Sequence, residues 1–256
     1  MERGRRGRGR VHQLAGAQYD KYLQLGGLGA DWTIANALEF SITGFYELFH
    51  NEFVTQSPGA GLQSFTSNVP GSTHRGIEIG ADWRPSPGWH MLLAYTYDNQ
   101  FYTDYIEQLS AGSLTARFNR AGNRIPGVEP NNLFARLSYD QPYGPMAGFG
   151  LFIETYWRSS FYMDNANLIK APGSAMINLD FHYDLSASES NPRAFRIYFE
   201  IQNLFNTTYI ASANNVSDSI NATTGQQNPA SVVANATGSI YAAAPRAFFG
   251  GIKIRF

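Results

Sequence analysis

Residues 246–256, R-A-F-F-G-G-I-K-I-R-F, decide how the whole chain is read. Phe248, Gly250, Ile252, Ile254 and Phe256 fall on one side; Phe249, Gly251, Lys253 and Arg255 fall on the other. Side chains alternate faces along a strand, so this is a strand with one apolar face and one small or basic face. Its last apolar position is the aromatic residue that ends the chain. Such an ending is rare in soluble domains and usual in bacterial outer-membrane barrels. The question is whether the pattern recurs.

It recurs. Leu38, Phe40, Ile42, Gly44, Tyr46 and Leu48 alternate with Glu39, Ser41, Thr43, Phe45, Glu47 and Phe49. Ile77, Ile79, Ala81 and Trp83 oppose Glu78, Gly80, Asp82 and Arg84. Similar apolar sets run through 89–98, 133–139, 149–158, 175–184 and 195–202, facing Arg136, Glu154, Arg158, Asp180, His182, Asp184, Arg196 and Glu200. A weaker strand spans 18–29 and gives way to a short connection at 30–37. The period of two predicts about nine strands and no helix.

The connections alternate in length. Residues 51–68, 103–123, 164–174 and 206–245 are the longer ones; 84–88, 140–147 and 185–192 are short. Tyr46, Trp83, Trp89, Tyr95, Tyr97, Tyr139, Tyr156, Trp157 and Tyr183 gather towards strand ends. Short turns on one side, long loops on the other and aromatic belts describe an up-and-down transmembrane barrel. A soluble sandwich would also alternate. However, a forty-residue loop such as 206–245 is foreign to a compact soluble domain. The expected fold is therefore all-β: an antiparallel transmembrane β-barrel fragment of about nine strands, taken from a larger barrel.

Composition agrees. Charged residues make up 15% of the chain, below the roughly 25% usual for soluble domains. The chain carries 18 Phe, 15 Tyr and 25 Gly, which suits strands with a lipid face. A net charge of −1 gives no global field to attract nucleic acid. Zero cysteines exclude disulfides, thiolate metal sites and cysteine catalysis. Residues 1–15 open with MERGRRGRGR, a basic leader without the apolar run of a secretory signal. It reads as disordered or as the product of a mis-set start codon. Residues 16–256 read as barrel.

Six stretches, in order, resemble the C-terminal part of a TonB-dependent outer-membrane receptor. They are Leu38–Glu52; the strand around Arg75-Gly76-Ile77-Glu78; Leu92–Tyr97; Gly122–Pro130; Asn203-Leu204-Phe205-Asn206 with Tyr209; and Pro245-Arg246 with Gly250-Gly251-Ile252 and Phe256. The siderophore or ferric-chelate receptors are the nearest group. The resemblance implies a barrel of about 22 strands, a globular plug and a TonB-contacting segment. Neither plug nor TonB box is recognisable in this sequence, so an incomplete barrel is expected, with open edges. The implied function is TonB-dependent uptake of an iron chelate or similar nutrient. The implied partners are outer-membrane lipid, the ligand, the TonB system through the plug, and the barrel-assembly machinery through the strand ending at Phe256. The implied location is the outer membrane of a Gram-negative bacterium. The alternatives are a passive porin-like channel and an outer-membrane β-barrel enzyme.

No catalytic, cofactor or metal site is expected. Glu39, Glu78, Asp82, Glu154, Asp180 and Glu200 lie on separate strands and read as lumen walls. His12, His50, His74, His90 and His182 are dispersed, with no zinc-ligand spacing. Gly26-Gly27-Leu28-Gly29 lacks the Lys-Ser/Thr of a phosphate loop and reads as a strand bend. Phe101, Tyr102, Tyr105, Arg117, Arg120, Phe161 and Tyr162 lie at loop bases, where rings and guanidinium groups could meet a chelate. Packing is the commoner role for each, and the ligand-binding residues stay unassigned.

Overall fold

The computed structural model describes residues 22–56, 65–185, 194–213, 219–234 and 240–255. The basic leader, residues 18–21 of the expected first strand, nearly all of the turn expected at 185–192, and the terminal Phe256 lie outside these residues.

Nine long strands form one sheet: β1 (Tyr22–Ile34), β2 (Leu38–Gln56), β3 (Phe65–Trp83), β4 (Trp89–Asp104), β7 (Asn131–Asp140), β8 (Phe149–Arg158), β11 (Ser174–Leu185), β12 (Ala194–Gln202) and β15 (Ala247–Arg255). Between them lie the short strands β5 (Ile106–Ala111), β6 (Leu114–Asn119), β9 (Phe161–Tyr162), β10 (Lys170–Ala171), β13 (Ile210–Ala213) and β14 (Ile240–Ala242), and one helical turn, α1 (Pro229–Ala234). Each long strand pairs antiparallel with the next in the chain, so the wall is an up-and-down meander. It does not close: among the described residues, β1 and β15 each keep one unpaired edge.

The register turns the alternation of each strand into two continuous faces. One row crosses all nine strands as Ile34, Leu38, Trp83, Met91, Leu137, Ile153, Leu179, Ile201 and Phe248, every member apolar. The adjacent row runs Thr33, Glu39, Asp82, Leu92, Arg136, Glu154 and Asn178. A one-residue slip anywhere would mix the two faces.

Burial is inverted relative to a water-soluble sheet. Glu154 and Asn178 are 6% and 4% exposed, whereas Leu137 and Ile153 beside them are 43% and 42% exposed. The polar face is the sheltered, inner one, and its side chains pair with each other across strands. Arg136 Nε donates to Glu154 Oε2 at 2.8 Å, and Asn178 Nδ2 donates to Glu154 Oε1 at 2.9 Å. Among the described residues nothing packs over the central apolar face.

The structure extends the sequence reading in four places. The connection expected at 30–37 shrinks to residues 35–37, because Trp32 and Ile34 continue the alternation of β1. Ala35 and Asn36 take positive φ to make that tight turn. Residues 51–56 and 65–68, expected as loop, prolong β2 and β3. The loop expected at 103–123 folds into the β5–β6 hairpin, and the stretch at 206–245 contains β13, α1 and β14. In β2 and β3 the backbone ladder outlasts the amphipathic pattern, since strand pairing does not itself require alternation. The glycines at 26, 27 and 29 pair with β2 without a register shift, so they mark no bulge.

The aromatic belt is largely where the sequence puts it. Trp83 and Trp89 lie on the apolar face near the short turns, and Trp89 makes a tilted ring contact with Tyr139, centroids 4.9 Å apart. Tyr156 is the exception: its position belongs to the polar inner face.

Candidate functional site on the inner wall

The long connections all leave the same end of the sheet, and those that follow β4, β8 and β12 knit together there. Tyr102 and Tyr105 are in tilted ring contact at 4.8 Å and pack with Val69 and Ile125. Phe161, Met163 and Ala171 pack on Val232 of α1 and on Ile210 of β13. A buried polar hub joins the three loops. Arg120 Nε donates to Glu107 Oε2 at 2.8 Å, and Arg120 Nη2 donates to Gln227 Oε1 at 2.6 Å. Asn165 Nδ2 donates to Glu107 Oε1 at 2.8 Å, while Asn165 Oδ1 accepts from the Tyr102 hydroxyl at 2.8 Å.

Glu107 and Arg120 are 1% and 5% exposed. Burial pushes the Glu107 carboxyl above its ordinary 4.5, against the pull of Arg120. Burial likewise raises Asp164 above 3.8, against the Leu168 and Ile169 amides that donate to it. Folded loops therefore hold these protons more tightly than unfolded loops do. The stabilisation is complete below the ordinary values and fades as pH rises through the raised ones. Hydrogen exchange at 105–120 and 163–169, corrected for intrinsic rates, is expected to show greater protection just below the ordinary carboxyl range than at pH 8. Equal protection would contradict it.

Below the loops, register lays the inner wall out in bands. The outermost is Thr96, Asn132, Arg158 and Ser174; next comes Ala94, Phe134, Tyr156 and Met176; then Leu92, Arg136, Glu154 and Asn178. The middle band opens a cavity of about 450 Å³, roofed by Tyr209 and Ala211 from the loop after β12. That volume lies in the range of small-molecule sites. Phe134 and Tyr156 are in ring contact at 4.9 Å, and the Tyr209 hydroxyl reaches Met176 Sδ at 3.5 Å.

Arg158 holds the roof to the wall. Its guanidinium donates to Glu129 Oε1 at 2.6 Å, to the Ala211 carbonyl at 2.9 Å, to Ser174 Oγ at 3.1 Å and to the Ile210 carbonyl. It also lies over the rings of Phe161 and Tyr209. The neck of the same loop is closed by asparagines at positive φ, Asn203 and Asn206. Asn203 Nδ2 donates to the carbonyls of Thr207 and Ala244, its Oδ1 accepts from Thr207 N, and Asn206 Oδ1 accepts from Arg246 N. These contacts give the Asn-Leu-Phe-Asn motif its physical content.

The loop-base residues singled out in the sequence are mostly engaged in packing. Tyr102, Tyr105, Phe161 and Arg120 are buried in the loop body; Arg75 covers Phe101 and Lys170 covers Tyr162; Arg117 is exposed on β6. The cavity uses Phe134, Tyr156, Met176 and Tyr209 instead. A signal for two of them was present: Phe134 and Tyr156 are large aromatics at positions whose strand neighbours are Asn132, Arg136, Glu154 and Arg158.

Two of the dispersed histidines face carboxylates. His90 Nε2 is 2.9 Å from Asp82 Oδ1, and His182 lies between Asp180 and Asp140 at 2.7 and 2.8 Å. Among the described residues no cluster of three or more His, Asp or Glu could hold a metal ion.

The family model described as TonB dependent receptor-like, beta-barrel, matches residues 27–204. The chain belongs to the TonB-dependent receptor β-barrel family. No curated protein matches it significantly. Among solved structures it is similar to the siderophore receptor PiuA of Acinetobacter baumannii, with 18% identity, a TM-score of 0.63, and coverage of 91% of this chain and 28% of that one. It is also similar to the ferric citrate transporter FecA, with 18% identity, a TM-score of 0.61 and coverage of 91% and 31%. The ferric-catecholate import receptor Fiu of E. coli K12 gives 15% identity, a TM-score of 0.57 and coverage of 91% and 27%. The chain thus spans less than a third of each of these three proteins.

Proposed function

We propose that this chain forms part of the barrel wall and ligand-capturing loops of a TonB-dependent receptor in a Gram-negative outer membrane, and serves uptake of a ferric siderophore or a similar chelate. The supporting observation is the inverted wall: an unbroken apolar row faces outward across nine strands, while carboxylates and guanidiniums pair on the sheltered side. Lipid satisfies the first face and a watery lumen the second. The relatives bearing siderophore, ferric-citrate and ferric-catecholate names suggest the ligand class. Energised release would require the receptor length that these relatives have beyond the matched part, including the plug on which the TonB system acts. Assembly into the membrane would use the terminal strand.

The absence of cysteine makes orientation directly testable. Thr115→Cys sits in the β5–β6 hairpin and Ser86→Cys in a short turn. With the chain exported in its receptor, an impermeant maleimide is expected to label the first in intact cells. The second should react only after the outer membrane is opened. Labelling of both, or of Ser86→Cys alone, would reject the topology.

A further inference from the structure

We infer that the inner-wall cavity takes the aromatic ring of its chelate and discriminates against chelates built only from aliphatic carboxylates; this rests on the receptor reading above. The middle band supplies two touching rings, Phe134 and Tyr156, beside the Met176 thioether, with the Tyr209 ring above. Offset ring contacts and sulfur–aromatic contacts reward a planar π-system in such a slot. Ala94 leaves the room that a larger side chain in that band would fill.

The cations near the cavity are committed elsewhere. Arg158 spends its donors on Glu129, Ser174 and two roof carbonyls. Arg136, one band below, is held by Glu154 and lies over Phe134 and Phe152. The remaining polar lining, Thr96, Asn132 and Ser174, is neutral. A carboxylate entering here would lose hydration and meet no uncommitted positive partner. A ring loses little hydration and gains contact on several sides. The charge of the iron centre can stay in the open lumen while the ring is seated.

The test uses the full chain in a detergent without aromatic groups, with radio-iron complexes followed by equilibrium dialysis. The probes are a ferric tris-catecholamide and ferric citrate. The expected result is that the catecholamide complex binds at least about tenfold more tightly. Tyr209→Ala should remove most of that preference by weakening the catecholamide complex more than ferric citrate, and Tyr209→Phe, which keeps the ring, should retain it. Equal or tighter binding of ferric citrate would overturn the inference, as would a Tyr209→Ala effect of the same size on both complexes. Saturable binding of neither complex would instead reject the ferric-chelate reading on which the inference stands.

Discussion

Arg120→Ala is expected to destabilise the outer loop body by roughly 3–5 kcal/mol, the usual cost of breaking a buried ion pair from one side. The Glu107 carboxylate would be left buried, with Asn165 as a neutral donor in place of a cation. Gln227, on a different loop, would lose its guanidinium partner. Because the hub ties three loops, exchange protection should fall together at 105–120, 163–169 and 226–232. Protection in β7, β8 and β11 should persist, since the wall's ladders do not depend on the hub. Glu107→Leu combined with Arg120→Met should recover much of the loss, because an apolar pair removes both charges at once. A local effect confined to 105–120 would show that the loops are not one body.

Arg158→Ala should be the next most damaging change, at about 3 kcal/mol, taking 1.5–3 for each hydrogen bond to a charged group and allowing for incomplete loss. Its removal frees the Ile210 and Ala211 carbonyls and leaves Glu129, about one-fifth exposed, without its ion-pair partner. Arg158→Lys should rescue little, since an ammonium cannot reproduce a planar fork that spans Glu129, Ser174 and the roof. A double-mutant cycle with Glu129→Gln should show coupling near 1 kcal/mol or more, as residues sharing one network do. Additivity of the two substitutions, or full rescue by lysine, would mean that Arg158 does not hold the roof.

The wall was legible and the loop body was not, for a physical reason. Between the aromatic belts each strand meets apolar surroundings on one side and water on the other, so Ile153 and Glu154 announce their faces in the sequence. Above the belt, β6 alternates over six residues only, β5 buries the charged Glu107 beside Leu109, and β13 and β14 are too short to announce a face. The hub draws Glu107, Arg120, Asn165 and Gln227 together, with Arg120 and Gln227 bonded across 107 positions of sequence, a relation no local pattern encodes. The cavity was half readable. Phe134 and Tyr156 break the charged rhythm of their strands, but Tyr209 reaches them only because Asn203 and Arg158 fold its loop back over the wall.

The Asn203–Asn206 neck has a consequence for how such a protein can diversify. Strand pairing beyond it begins at Gln202 and Ala247 and owes nothing to the residues in between. With both sides of the neck tied, doubling the enclosed length adds only about 0.6 kcal/mol of closure entropy. The interval from 208 to 243 therefore behaves as a cassette. Insertions, deletions or wholesale replacement there can change the surface presented at this end of the sheet, while the frame that holds it keeps its register.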